Sequence, residues 1–526
     1  MNYNICESFI MAVPLEIRNV ERPKNTIVED SKRNTKYRYS VRERGAISYT
    51  PGGNPMPSNG KVIGHIIDGV FVAKKEKTAK ESECFSYGAS SFVYSQSKDI
   101  YQDLLSVFPI NDATNIMAIA MLLAIKPKIA WNRFSTEYSR TFTKVYYPGC
   151  ALSKNSVTEL LKKLGMDDSK RLSFYEKRIE RVDSSHVVAI DGTLKQDNSN
   201  ANDFSSYSRK ARVKGTRDIS ILYAFDVETM EPICSSVYPG NNLDCVTVNG
   251  FINKNGIKRG IIVADKGFPL KNIEPELRDN PDLHFLLPVK RDAKIVDKCN
   301  ALSFDTAFHY GDKTLQGKKV LLKDSRFLYS FKDTYRARKE EQAFLNQAIK
   351  KSSYNKEQYE EREERFGIIA FISDLDLTLV DVYKIYEERW LLELMFSQYK
   401  GNLGLTTTRV QGDYSVIGSE FINFISTVLT SRMCKKAEEC GVLDELSYGD
   451  MMEDLSSVWR SIKGDCTMPK LHDGYWERNN LPSVFELMVK LGLAIDPTIK
   501  RKRGRPKKEK EGNEPKRKPG RPRKNP

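Results

Sequence analysis

Along the chain the period of the apolar positions changes several times, and each change marks an expected element. Within residues 1–96 it is β-like: Lys61-Val62-Ile63-Gly64-His65-Ile66-Ile67 and Val70-Phe71-Val72 flank the turn signal Asp68-Gly69. Residues 97–183 read as short helices, near 99–108, 112–125, 156–164 and from about 170. The third has a capping box, Ser156-x-x-Glu159, and a stop at Gly165. From 184 the pattern alternates: strands at 186–191, 218–225 and 232–238, a helix at 244–252, a strand at 260–265, a helix at 270–277 and a strand at 284–289. Three antiparallel-type strands followed by a crossover to a parallel one give a mixed α/β domain.

Residues 291–365 are charged and irregular, with a hairpin expected at 319–323 and 326–331 and a helix at 337–351. The sheet resumes at 367–372, so 291–365 reads as an insertion into a domain spanning 184–430. A long helix follows around 377–400, then helices near 414–437, 447–462 and 483–492, the last two in a helical region at 431–499. The helices of 97–183 allow a DNA-reading role.

Composition narrows the class of protein. With 526 residues, 40% hydrophobic and 10% aromatic, the chain can bury several cores. The ten apolar residues from Ile116 to Ile125 stop at Lys126 and Pro127, well short of the roughly 18 that span a bilayer, so no membrane partner is expected. Nine cysteines, none spaced C-x-x-C, suit a reducing cytoplasm and argue against structural zinc. The absence of G-x-x-x-x-G-K-[ST] removes a P-loop, and the five histidines lack a metal-ligand spacing such as H-E-x-x-H.

The net charge of +15 points to a polyanion, and its distribution is uneven. Residues 500–526 hold fourteen Lys or Arg against three Glu, five prolines and almost nothing apolar, so this tail is expected to be disordered when free. Two Gly-Arg-Pro cores lie in it, Arg503-Gly504-Arg505-Pro506 and Gly520-Arg521-Pro522-Arg523, each flanked by further bases. Glycine allows close approach to a groove floor, proline favours an extended path, and the arginines can lie along the electronegative A·T minor groove. Both segments resemble AT-hooks; a solvated basic tail is the plainer reading.

Three carboxylates carry the candidate chemistry. Asp191 and Asp265 each follow an apolar run at the C-terminal end of an expected strand, where open sheets hold ligands. The long helix contains Tyr386-x2-Arg389-x3-Glu393-x6-Lys400. With Tyr386 at 0°, Arg389, Glu393 and Lys400 fall at roughly −60°, −20° and −40°, on one face of the helix. Trp390, Leu391, Leu392, Leu394, Met395 and Phe396 fill most of the rest, which suggests a largely buried setting. Taken alone, Arg389 and Glu393 are an ordinary i, i+4 pair. Oxygen-only donors, with two strand-end aspartates and the glutamate together, suit Mg²⁺ or Mn²⁺. Two such ions roughly 4 Å apart support in-line displacement at phosphorus. Tyr386, Arg389 and Lys400 would then contact phosphates.

Ala189-Ile190-Asp191-Gly192-Thr193, Val263-Ala264-Asp265-Lys266-Gly267-Phe268 and the Tyr-Arg-Glu-Lys stripe together resemble the DDE transposases of bacterial insertion sequences, in the branch named for that Y-R-E-K signature. Tyr207-Ser208-Arg209-Lys210 and Tyr238-Pro239-Gly240-Asn241-Asn242-Leu243-Asp244 are similar to intervening pieces of that family. The resemblance implies a ribonuclease H-like, mixed five-stranded sheet with helices, interrupted by an inserted subdomain. It places the first Asp on the first strand, the second after the fourth, and the Glu on a later helix. It implies metal-dependent cleavage at transposon ends, through a hairpin, and strand transfer into target DNA. Asp191, Asp265 and Glu393 would be catalytic and metal-binding. Tyr386, Arg389, Lys400 and Lys266 would bind DNA. Joining two ends implies a homodimer on double-stranded DNA, and the family implies a prokaryotic cytoplasm with nucleoid association. The tail lies outside the family core. A non-catalytic DNA-binding descendant and a stand-alone metal nuclease are the alternatives.

Overall fold

The computed structural model describes residues 13–494 apart from 33–34, 50, 54, 75–83, 198, 209–210, 212, 243, 266–269 and 462–481. The chain forms two compact units, Met1–Glu83 and Cys84–Pro526. The first holds an antiparallel sheet in the order β1 (Thr26–Asp30), β2 (Tyr39–Tyr49), β3 (Pro55–Ile67), β4 (Val70–Ala73). Asp68 and Gly69 connect β3 to β4 with φ of 48° and 77°. Two consecutive left-handed residues match the twist of a tight hairpin, and Gly69 takes that conformation without a Cβ penalty.

A single mixed sheet of ten strands dominates the second unit. Its strands are β6 (Val187–Gln196), β7 (Ser206–Tyr207), β8 (Arg217–Asp226), β9 (Glu231–Pro239), β10 (Gly260–Ala264), β11 (Leu283–Val289), β12 (Thr306–Tyr310), β13 (Lys313–Leu321), β14 (Phe327–Asp333) and β15 (Ile368–Ser373). β5 (Cys84–Ser86) pairs separately with β16 (Trp459–Ser461). In the large sheet β8 runs antiparallel to both β6 and β9, whereas β10 is parallel to β6 and to β11. Val187 to Ile190 and all of β15 are buried, as strands covered on both faces must be.

Ten strands replace the five expected: residues 291–365 continue the sheet with β12, β13 and β14, and β7 and β15 add to it. β14 pairs along β15 from Phe327↔Ser373 to Lys332↔Ile368, and β13 and β12 add outward from it. β6 also differs from expectation. It runs five residues past Asp191, and its pairing with β8 reaches Gln196↔Asp218. Beyond Asp191 the burial alternates, with Thr193 and Lys195 buried and Gly192, Leu194 and Gln196 partly exposed. The half-buried alternation of an edge replaces the continuous apolar run that marked the first half.

Helices Lys98–Val107, Ile110–Ile125, Lys154–Met166 and Asp168–Ile179 share one core with the sheet and with the long helix Asp413–Glu439. Ile116 to Ile125 are all buried, consistent with a helix that is apolar around its whole circumference. Helix Lys154–Met166 starts one turn earlier than the capping box suggested, because the Ser153 hydroxyl accepts the N–H of Ser156 at 3.2 Å. Glycines let this helix cross Asp413–Glu439 closely. A Cβ on Gly418 would collide with the carbonyl oxygen of Leu161, and one on Gly165 with that of Tyr414. Among the described residues, Cys84, Cys150, Cys234, Cys299, Cys434 and Cys440 are free thiols, and no helix is long and apolar enough to cross a membrane.

Candidate active site

The parallel pair β6 and β10 carries the two aspartates to one end of the sheet. Their ladder ends with Ala189 opposite Val263 and Ile190 opposite Ala264. Asp191 is the next residue on β6 and Asp265 the first residue past β10, so the chain carries both acids to the same end of this parallel pair. Asp191 is half-buried and accepts the Gly192 N–H at 2.8 Å, whereas Asp265 is exposed.

Glu393 comes from the helix covering the same face. Asp191 is the cross-strand partner of Tyr223 on β8, so the two side chains project on one side. The Tyr223 ring packs against Phe396 and Tyr399, with centroids 5.8 and 5.9 Å away. Phe396 is three residues after Glu393, and the helix segment Trp390–Ser397 packs against β6. Leu392, Met395, Phe396 and Tyr399 form its buried side.

The stripe is less regular and more open than its sequence implied. Helix Leu379–Glu388 meets Trp390–Ser397 at Arg389, and a π-helical turn, Gln398–Asn402, follows. Lys400 lies in that wider turn, so the 100° rule does not fix its direction. The Glu393 side chain is 52% exposed and Trp390 is 58% exposed. This corrects the buried setting expected: four residues spaced 3, 1 and 3 apart suffice to pack the helix, leaving the stripe side facing solvent. Arg389 donates to Glu393 at 3.3 Å. The Tyr386 hydroxyl accepts from Nη1 of Arg336 at 3.1 Å.

Several supporting residues were not singled out from the sequence. Lys195 shares the face of Asp191, four positions along β6, and is buried. Its Nζ donates to Glu420 at 2.7 Å and to the Tyr399 hydroxyl at 3.2 Å. Tyr399 in turn donates to the other oxygen of Glu420 at 2.7 Å, and Asn423 donates to Glu420 at 3.0 Å. Burial pushes the Tyr399 and Tyr223 hydroxyls well above the usual tyrosine range, with the Glu420 charge adding to it. Asp218, at the start of β8, is also buried. Burial raises its pKa, and the positive charge of Lys400 opposes that rise. Period-two spacing from Asp191 through Thr193 to Lys195 was the available sequence signal, hidden by ending the strand at Asp191.

At the opposite end of β6, His186, Asp226 and Glu228 have ligand-type atoms within 4.8 Å of one another. Their hydrogen bonds are already internal. His186 Nδ1 meets Asp226 at 3.0 Å, Glu228 accepts the Val187 N–H at 2.8 Å, and Asp226 accepts the Glu228 N–H at 3.1 Å. Among the described residues Asp191, Asp265 and Glu393 do not form a group of that kind. They are oxygen-only donors from separate elements, with Asp265 and Glu393 exposed and Asp191 half-buried. Lys266, Arg209, Lys210 and the tail residues Arg503, Gly504, Arg505, Pro506, Gly520, Arg521, Pro522 and Arg523 lie outside the described residues.

Residues 183–416 match the family described as the transposase DDE domain. No curated protein matches the chain. Among solved structures it is similar to the piggyBac transposase in a synaptic complex with hairpin DNA. That likeness has 12% identity and a TM-score of 0.38, and covers 71% of this chain and 80% of the other.

Proposed function

We propose that the chain is a DNA transposase of the DDE type, with Asp191, Asp265 and Glu393 as its catalytic, metal-binding acids. Supporting this reading, the β6–β10 ladder ends one residue before both aspartates, and the helix that carries Glu393 packs on the face from which Asp191 projects. The transposase DDE match spans all three positions. The first acid on the first strand, the second after the fourth major strand and the third on a helix beyond an insertion accord with a ribonuclease H-like core and the Y-R-E-K branch.

The three acids would hold Mg²⁺ or Mn²⁺, whose Lewis acidity serves phosphodiester cleavage and strand transfer. The protein's own groups bind and orient the DNA. Arg389, beside Glu393, offers a guanidinium to a phosphate near the scissile bond, and Tyr386 offers a hydroxyl on the same side. Lys400 and Lys266 add positive charge, and the two Gly-Arg-Pro segments bind A·T-rich minor groove. Two copies assemble when two ends are joined.

The test is cleavage of a linear duplex carrying the inverted repeats that flank the coding sequence, with Mg²⁺, for wild type and Glu393→Gln. Wild type is expected to nick the ends and join them to a target. The variant, which keeps nearly the same shape, should bind DNA comparably yet cleave roughly a thousand-fold more slowly or worse, equivalent to about 4 kcal/mol of transition-state stabilisation. Binding without nicking by wild type would sink the reading in favour of a DNA-binding descendant, and nicking without joining would leave a nuclease.

A further inference from the structure

Helix Thr334–Lys350 begins inside residues 291–365, remote in sequence from the stripe, yet its first turn touches the stripe directly. Asp333 caps it by accepting the Arg336 N–H at 2.9 Å, and the other Asp333 oxygen accepts from the Tyr383 hydroxyl at 3.3 Å. Arg336 then uses two edges of its guanidinium. Nε donates to Glu340 at 2.9 Å, and Nη1 donates to the Tyr386 hydroxyl at 3.1 Å.

Glu340 does more than complete an i, i+4 pair. It also accepts from Arg291 at 2.5 and 3.2 Å and from the Gly367 N–H at 3.0 Å. Arg291 and Arg365 exchange bonds to each other's carbonyls at 2.8 and 2.6 Å. One carboxylate therefore clasps both ends of the 291–365 segment and holds Arg336 against Tyr386. The Tyr386 ring is fixed as well, 5.0 Å from Phe371 on β15.

A guanidinium has only donors, so the phenolic oxygen must accept at this contact, and its single proton turns elsewhere. Phosphate oxygens only accept. A Tyr386 hydroxyl held in this way is set to donate to a DNA phosphate, and without Arg336 its rotor would be free to turn.

We infer that Arg336 is a positioning residue that acts through Tyr386, orienting the hydroxyl as a phosphate donor, with Glu340 holding Arg336 in place. This rests on the transposase reading and adds a residue from the insertion to its DNA-orienting set. An ordinary surface pair between Arg336 and Glu340 would contribute a few tenths of a kcal/mol to the helix and nothing to cleavage.

A double-mutant cycle on single-turnover end cleavage with Mg²⁺ tests it, using wild type, Arg336→Ala, Tyr386→Phe and the double variant. DNA affinity and thermal unfolding are measured alongside. Tyr386→Phe removes only an oxygen and guards against a folding artefact in Arg336→Ala. Each single variant is expected to cleave roughly ten-fold more slowly, the scale of one charge-assisted hydrogen bond, and the double variant no more slowly than Tyr386→Phe. Arg336→Lys should recover only part of the rate, because an ammonium cannot serve Glu340 and Tyr386 in one planar fork. Losses that multiply in the double variant, or a silent Arg336→Ala, overturn the inference while leaving the transposase reading intact. A wild type that does not cleave removes the reading, and this inference with it.

Discussion

Burial pushes the Glu340 carboxyl up, but the Arg291 and Arg336 guanidinium groups and the Gly367 N–H outweigh it and bring its pKa to about 2, against an ordinary 4.5. A depressed carboxylate stabilises the fold above its unfolded-state pKa and loses that contribution as pH falls through the folded-state value. The window is therefore from about pH 4.5 down to about pH 2. Glu340→Gln should lower the melting temperature at neutral pH and flatten its acid dependence across that window. Parallel acid curves for the two proteins would show that the clasp contributes nothing. At this scale the sequence exposed Asp191, Asp265 and Glu393, because each stands in an apolar run or on a helix face where a carboxylate is conspicuous. Arg336 is one of many charges in a polar stretch, and only the fold brings it to Tyr386, fifty positions on.

Elements were legible where their periodicity was strong. Of the eight strand segments expected, those at 186–191, 218–225, 232–238, 260–265, 284–289, 326–331 and 367–372 lie in the sheet with several bounds moved, and the one at 319–323 falls on the end of β13, which starts at Lys313. The continuation of β6 to Gln196 was missed because polar and glycine residues there replace the apolar run, and β8 supplies the pairing that keeps it extended. The π turn at Gln398–Asn402 has no sequence period of its own. Helix crossings depend on single small residues. At Gly418 an added methyl would force Asp413–Glu439 away from the backbone of Leu161. Gly418→Ala is expected to cost about 1–3 kcal/mol despite its better helix propensity, read as a lower melting temperature. An unchanged or raised value would mean that the two helices separate without penalty.

Across the whole molecule, charge and chemistry are segregated. Residues 1–83 carry fourteen basic and ten acidic side chains, residues 500–526 fourteen and three, and residues 84–499 fifty-six of each. The stretch 84–499 that carries the acids is thus electrically neutral, and the net positive charge falls to the two ends of the chain. Deleting residues 500–526 should weaken binding to A·T-rich duplex and reduce the salt slope by roughly 0.9 for each phosphate that the tail neutralises, leaving the cleavage chemistry in place. Equal affinity and equal slope in the truncated protein would refute a role for the tail in binding. Within that neutral stretch, the buried contact of Lys195, Tyr399 and Glu420 spans β6, the end of the Glu393 helix and the helix Asp413–Glu439. Breaking the Lys195–Glu420 pair would strand two ions in the core, which couples β6 to the helix Asp413–Glu439, and Tyr399 ties the end of the Glu393 helix to both. The strand of Asp191 and the helix of Glu393 are therefore tied to one buried ion pair, while the stripe side of that helix stays open to solvent.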